Sequence, residues 1–331
     1  MSTVLHSYLF AWLFVLGVSL GSTANLMVQS LTGGRWVEPV WRPWLAAARL
    51  LPLVAVFFLP IALGVREIYP WTSAPGRWLN VPFFLARSVA YLAVWCLLGW
   101  GYRRADRGNV DPGSGGSAGA RAWSAAGLVV YTFTVSLAAF DWIASLTPSW
   151  YSSGFGLVVG TGQMLSGAAF GVMAAALAAP PMPSPALRQR FHDLGNILLM
   201  YVLVWAYLAF TQFLVIWSEN IPKEIHWYVR RLESGWVALA WTIVALHFAL
   251  PFAILLSRDA KRSPAFLGSI AALLLVVHML QVYWMVVPSV RPGAFSVAWS
   301  DPVALAVLAG LAALAWRHRS RLRGAKGLAH G

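Results

Sequence analysis

Nine apolar runs follow one another along this chain, most of them about as long as a bilayer's hydrocarbon core is thick. That succession constrains the fold more than any motif does. A helix needs about 20 apolar residues to cross a membrane, and inside lipid every backbone polar group must be satisfied within the segment or by closed pairing. The runs are Tyr8–Leu31, Trp44–Val65, Val81–Gly101, Ala122–Leu146, Gly154–Ala179, Gly195–Ser218, Gly235–Ser257, Ala265–Val287 and Pro302–Trp316, the last being the shortest. They are continuously apolar rather than alternating, which argues against a membrane barrel. The expected fold is therefore all-α, a polytopic helical membrane protein with about nine spans in a single domain. With 59% hydrophobic and 11% charged residues and a mean hydropathy of +0.67, the chain lacks the charged surface of a soluble domain.

The net charge of +13 would suggest nucleic acid on a soluble protein. Here the basic residues sit between apolar runs, so lipid headgroups and topology account for them, and no nucleic-acid partner is expected. With nine spans the connectors alternate sides: sixteen lysines and arginines fall on one side and six on the other, leaving aside Arg49 and Arg87 within or beside spans. The positive-inside bias then places the N-terminus outside and the basic tail, 317–331, in the cytoplasm. The Gly/Ser-rich stretch 103–121 reads as a flexible cytoplasmic loop. Residues Leu5–Val28 are too long for a signal-peptide core and lack a basic flank, so no cleavable leader is expected. Cys96 is the single cysteine, which excludes an internal disulfide and a Cys-ligated iron–sulfur cluster.

Polar groups in or beside apolar spans carry the functional question, because charge at mid-bilayer is costly. Asp141, in "AAFDWIASLTPSWYSSGFG" (138–156), has no charged neighbour between Arg121 and Arg188. It reads either as a partner for loop backbone or a nearby tryptophan, or as a proton acceptor or quinol-hydroxyl partner near the outer surface. His192 and Asp193 precede the sixth run, where Asp193 fits an N-cap or first-turn carboxylate. Gln212 and Gln163 suit hydrogen bonds between helices. The segment Trp217–Trp236 is the most charged external connector, with Glu219, Lys223, Glu224, His226, Arg230, Arg231 and Glu233. Its aromatic residues Trp217, Trp227, Tyr228 and Trp236 suggest an amphipathic piece along the outer interface.

His247 and His278 lie in the antiparallel seventh and eighth runs, roughly 18 Å and 14 Å below the outer ends by the helical rise. They read as histidines bonded within the bundle, or as ligands of one haem b between neighbouring helices. A small-molecule transporter is a third reading, although the two halves show no matching broken helices. No G-x-S-x-G or H-E-x-x-H is present, which removes the common hydrolases.

Several stretches carry a resemblance: "SYLFAWLFVLGVSLGSTANLMVQSLTGGRW" (Ser7–Trp36), "LPLVAVFFLPIALGVREIYPW" (Leu51–Trp71), "FDWIASLTPSWYSS" (Phe140–Ser153), "HDLGNILLMYVLVWAYLAFTQFLVIWSENIPKE" (His192–Glu224) and "HFALPFAILLSRDAKR" (His247–Arg262). The chain resembles the second NrfD-related membrane subunit of bacterial alternative complex III, the ActF type. That resemblance implies an NrfD-like helical bundle in a quinol:electron-acceptor oxidoreductase, with no redox centre of its own. It implies an NrfD-like paralogue, an iron–sulfur protein and cytochrome c subunits as partners, with haem c and iron–sulfur clusters held by them. It also implies that polar groups in the bundle face a quinone pocket or a proton path, with Asp141, His192, Asp193, Gln212, Glu219 and Glu224 at matching motif positions. The family's usual ten spans would make this chain short by one N-terminal helix. Gln29 and Ser30 stand where the family often has histidine, and Thr147 replaces an acidic residue. These departures imply a divergent member, serving assembly more than proton movement. On this reading Asp141 is a motif carboxylate close to where quinol protons leave.

Overall fold

A computed structural model describes residues 2–105, 113, 115–232 and 235–327, with backbone alone for 103–105 and 317–327. Every regular element among them is helical. Eight helical stretches are long and apolar enough to cross a membrane, which makes this an all-α polytopic helical protein. The ninth apolar run forms the shorter apolar part, Ser300–Trp316, of a helix that continues through the basic tail to Gly327. Helices with strongly exposed apolar side chains, such as Phe133, Tyr207 and Trp241, present a lipid-compatible surface.

Helix α1 (Ser2–Thr32) is the axis of the bundle, buried on nearly all sides. Around it pack α2 (Trp41–Ala48), α7 (Ala118–Trp142), α8 (Phe155–Leu177), α14 (Pro264–Val290) and α15 (Ser300–Gly327). The closest approach is between α1 and α8. A Cβ on Gly21 would fall on the carbonyl of Gln163, and a Cβ on Gly167 would collide with the backbone of Gly21 and Ser22. Apolar side chains gain nothing by leaving lipid, so small residues that let backbones touch supply the packing energy instead. Asn25 reinforces the contact: its Nδ2 donates to Met164 O at 2.9 Å, and Tyr201 of α9 (Pro185–Glu219) donates to its Oδ1 at 2.8 Å.

The second apolar run is a broken rod, not one helix. It comprises α2, α3 (Leu51–Val56), α4 (Leu59–Leu63) and α5 (Val65–Ile68). Pro52 and Pro60 lack an N–H and crowd the preceding turn. Phe58 N bonds Ala55 O instead of Val54 O, and the carbonyl of Val54 accepts from Trp12 Nε1 at 2.8 Å. A tryptophan of the central helix thus satisfies a group that the break exposes.

Two further expectations change. Helix α9 has 35 residues, about 52 Å long by the helical rise, and begins ten residues before the apolar run. Ser184 is its cap, accepting from Leu187 N. Asp193 is therefore an interior residue of the helix and caps nothing; the polar first turns extend beyond the apolar segment, so composition concealed the true start. The stretch 103–121 is also less of a loop than expected. Helix α6 (Val81–Ala105) and α7 enter it from both sides, and Gly113 and Gly116 bond Gly34 N and Ser30 O at the end of α1. Residues 106–112 and 114 lie outside the described residues.

The α1–α8 contact gives a direct test. Gly21→Val should overpack the crossing and cost at least about 1–3 kcal/mol, read as a lower thermal midpoint in detergent. Gly310→Ala, on a face with no atom near the new methyl group, should not lower the midpoint, since alanine is the better helix former.

Candidate functional site

Four groups of buried polar side chains stand out among the described residues. Three lie at the end that holds the start of α1, and one lies at mid-depth.

Asp141 is the penultimate residue of α7 and is fully buried. Arg87 of α6 grips it bidentately: Nη2 to Oδ1 at 2.7 Å and Nε to Oδ2 at 2.8 Å. Tyr91 OH donates to Oδ2 at 2.9 Å, and Trp78 Nε1 donates to Oδ1 at 3.1 Å. The guanidinium itself sits in the corner between the rings of Trp78 and Phe83, which are nearly perpendicular, 4.2 Å from each centroid. Each carboxylate oxygen therefore has two donors, and the charge is neutralised in place. All four lone-pair positions of the Asp141 carboxylate are thus engaged. The geometry answers to the structural reading, a clamp joining α6, α7 and the chain before α6. Sequence reading found the tryptophan partner type but set Arg87 aside as incidental. The signal was present, since Arg87 is the one cation within the third apolar run.

Asp301, which the sequence reading did not single out, makes the second clamp. Arg291 donates to both oxygens at 2.6 and 2.8 Å, Ser7 Oγ to Oδ1 at 2.5 Å, and Tyr283 OH to Oδ2 at 2.8 Å. It ties the starts of α1 and α15 to the end of α14.

Arg231 of α10 (Pro222–Leu232) is fully buried without a carboxylate partner among the described residues. Pro288 cannot donate to Trp284 O, and Arg231 Nε does so at 3.1 Å. Its Nη2 donates to Met285 O and Ser289 Oγ, and its Nη1 to Trp227 O. A cation thus sits on the carbonyl-rich C-terminal end of α14, where the helix dipole favours it. The amphipathic piece expected at this end exists, but its aromatic face turns inward. Trp227 stacks on Trp150 at 4.6 Å, while Trp217 remains exposed. Gln212 Nε2 donates to Tyr228 OH at 3.1 Å, and burial pushes that hydroxyl up to about 12. Glu219 and Glu224 stand at the surface here, apart from these contacts; Glu233 lies outside the described residues. His192 and Asp193 form a loose surface pair at 3.5 Å at the opposite end.

The mid-depth group comes from four helices. His278 of α14 lies about 20 Å from either end of its helix by the rise per residue. His247 comes from a π-helical turn, Val244–Ala249, between α11 (Trp236–Ile243) and α12 (Leu250–Leu255). The structure brings the two rings to 6.0 Å, nearly parallel at 26°. Gly17 and Gly162 leave the room that His278 occupies. Its Nδ1 meets Gln281 Oε1 at 3.3 Å, while its Nε2 and both nitrogens of His247 have no protein partner. Gln163 faces the same space and accepts from Tyr131 OH at 3.1 Å. A cavity of about 20 Å³ lies among Gln163, His278, Gln281 and apolar neighbours, enough for one water molecule. Wider insertions such as this π-turn occur often at functional sites.

The two histidines do not fit a haem b. Trp205 packs edge-on against His247 with centroids 4.2 Å apart, and the cavity beside His278 holds about 20 Å³, far short of a porphyrin. No cluster of three or more metal-binding side chains occurs among the described residues. No protein-family model matches this chain, and comparison with curated proteins finds no match.

If Asp141 is a clamp, its loss strands a buried guanidinium. Asp141→Ala should cost about 3–5 kcal/mol. The double variant Asp141→Leu with Arg87→Met should recover most of that in the same denaturation assay, since no charge is left unpaired.

Proposed function

We propose that this chain is an integral membrane subunit of a bacterial respiratory quinol:electron-acceptor oxidoreductase of the alternative complex III type. It has an NrfD-like bundle and no redox centre of its own, and it scaffolds the complex while offering a proton path beside the quinone region. The motif stretches from Ser7 to Arg262 support the family reading. The mid-depth layer of Tyr131, Gln163, His278, Gln281 and His247 is the observation that carries the proton role. Histidines held at mid-membrane with unpartnered nitrogens, one of them beside a water-sized cavity, are costly, and such groups ordinarily serve proton transfer or ligand binding. In this reading Asp141 keeps the outer end of the bundle assembled, and the titrating work falls to His278. The partners are an NrfD-like paralogue, an iron–sulfur protein and cytochrome c subunits. The N-terminus faces outward and the basic end faces the cytoplasm.

Gentle extraction of the tagged chain from native membranes tests this. Haem c, an iron–sulfur protein and an NrfD-like protein should co-purify, and the particle should oxidise quinol. His278→Leu should leave that assembly intact while slowing quinol oxidation and the proton release coupled to it by about 10²–10⁴-fold, the usual range for losing a general acid–base group. A colourless chain without redox partners would refute the respiratory reading, and undiminished proton release in the variant would refute the role of His278.

A further inference from the structure

We propose that the corner of the basic end formed by α13 (Arg258–Arg262) and the start of α14 binds the phosphate of an anionic phospholipid headgroup. Lys261 is only 6% exposed, an unusual state for a lysine. Its stem lies across Gly195 of α9, where any Cβ would collide with it. Its ammonium makes one hydrogen bond, to Asn196 Oδ1 at 2.7 Å, which leaves donor capacity unused. Arg258 and Arg262 stand exposed on the same short helix. No carboxylate lies within ion-pair distance of these three cations among the described residues. Asp193 on α9 is engaged by Gln189 and His192, and Asp259, on α13 itself, is exposed.

The 27-residue α14 starts at this corner, so its positive dipole end adds to the same field. The three cations are close in sequence on one short helix and free of ion pairs among the described residues. The walls indicate which anion fits. Leu256 and Phe266, on either side of α13, are 58% and 44% exposed, and Met200, one turn beyond Asn196, is 45% exposed. A free phosphate has no use for such surface. A phospholipid places its phosphate on the cations and its acyl chains along the apolar side chains, the pattern of basic pockets between membrane helices.

Phosphatidylglycerol and phosphatidylcholine supplied in equal amounts to the purified full-length chain, followed by delipidation and native mass spectrometry, test this. Wild type should retain phosphatidylglycerol preferentially. Lys261→Gln and, on the exposed face where folding is not at stake, Arg258→Gln should each lower retention about fivefold. Equal retention of the two lipids, or variants that hold phosphatidylglycerol like wild type, would overturn the site. Displacement of the lipid by millimolar inorganic phosphate would assign the corner to a free anion and overturn the lipid.

Discussion

The contact of Gly21 with Gly167 sets the geometry of the whole bundle. With no Cβ on either residue, the backbones of α1 and α8 touch, and every helix that packs on that pair is brought close enough for polar side chains to meet. Asn25 reaches a carbonyl of α8 because of it, and Gln163 faces Gly17 and His278 because of it. In an apolar surrounding, such meetings are the main directional forces available. The fold is held by a glycine crossing and by the hydrogen bonds that the crossing permits.

Charge is handled by one rule throughout. Asp141 and Asp301 each receive a bidentate arginine and a tyrosine hydroxyl. Arg231 receives carbonyls, one of them freed by Pro288. These groups are fixed because each is provided with partners. The mid-depth histidines differ in kind: they are as deeply buried, yet ring nitrogens of both remain without partners, and His278 borders a water-sized space. That contrast, more than any motif, separates the groups that hold the bundle from those that can act within it.

The apolar spans were legible because lipid demands length and continuity, and each of the nine runs is helical. The similar depth of His247 and His278 also followed from the helical rise and from their adjacent antiparallel spans. What escaped was pairing across distance. Asp141 is 54 residues from Arg87, and no local pattern joins them. Asp193 resembled a cap because the apolar run starts just after it, whereas Ser184 and Pro185 start the helix in polar sequence. Pro52 and Pro60 were visible, but the break they cause depends on Trp12 supplying a donor from another helix.

The central claim is that the space beside His278 is where this bundle's polar groups act. Gly17→Ala addresses it with least disturbance, since the added methyl would lie 3.4 Å from Gln163 Cγ, 3.7 Å from His278 Nε2 and 4.0 Å from Ser166 Oγ, all ordinary contact. The rate of quinol oxidation and of the proton release coupled to it, measured on the assembled particle carrying this variant, is the decisive quantity. The account predicts normal assembly with a lowered rate; an unchanged rate would contradict it.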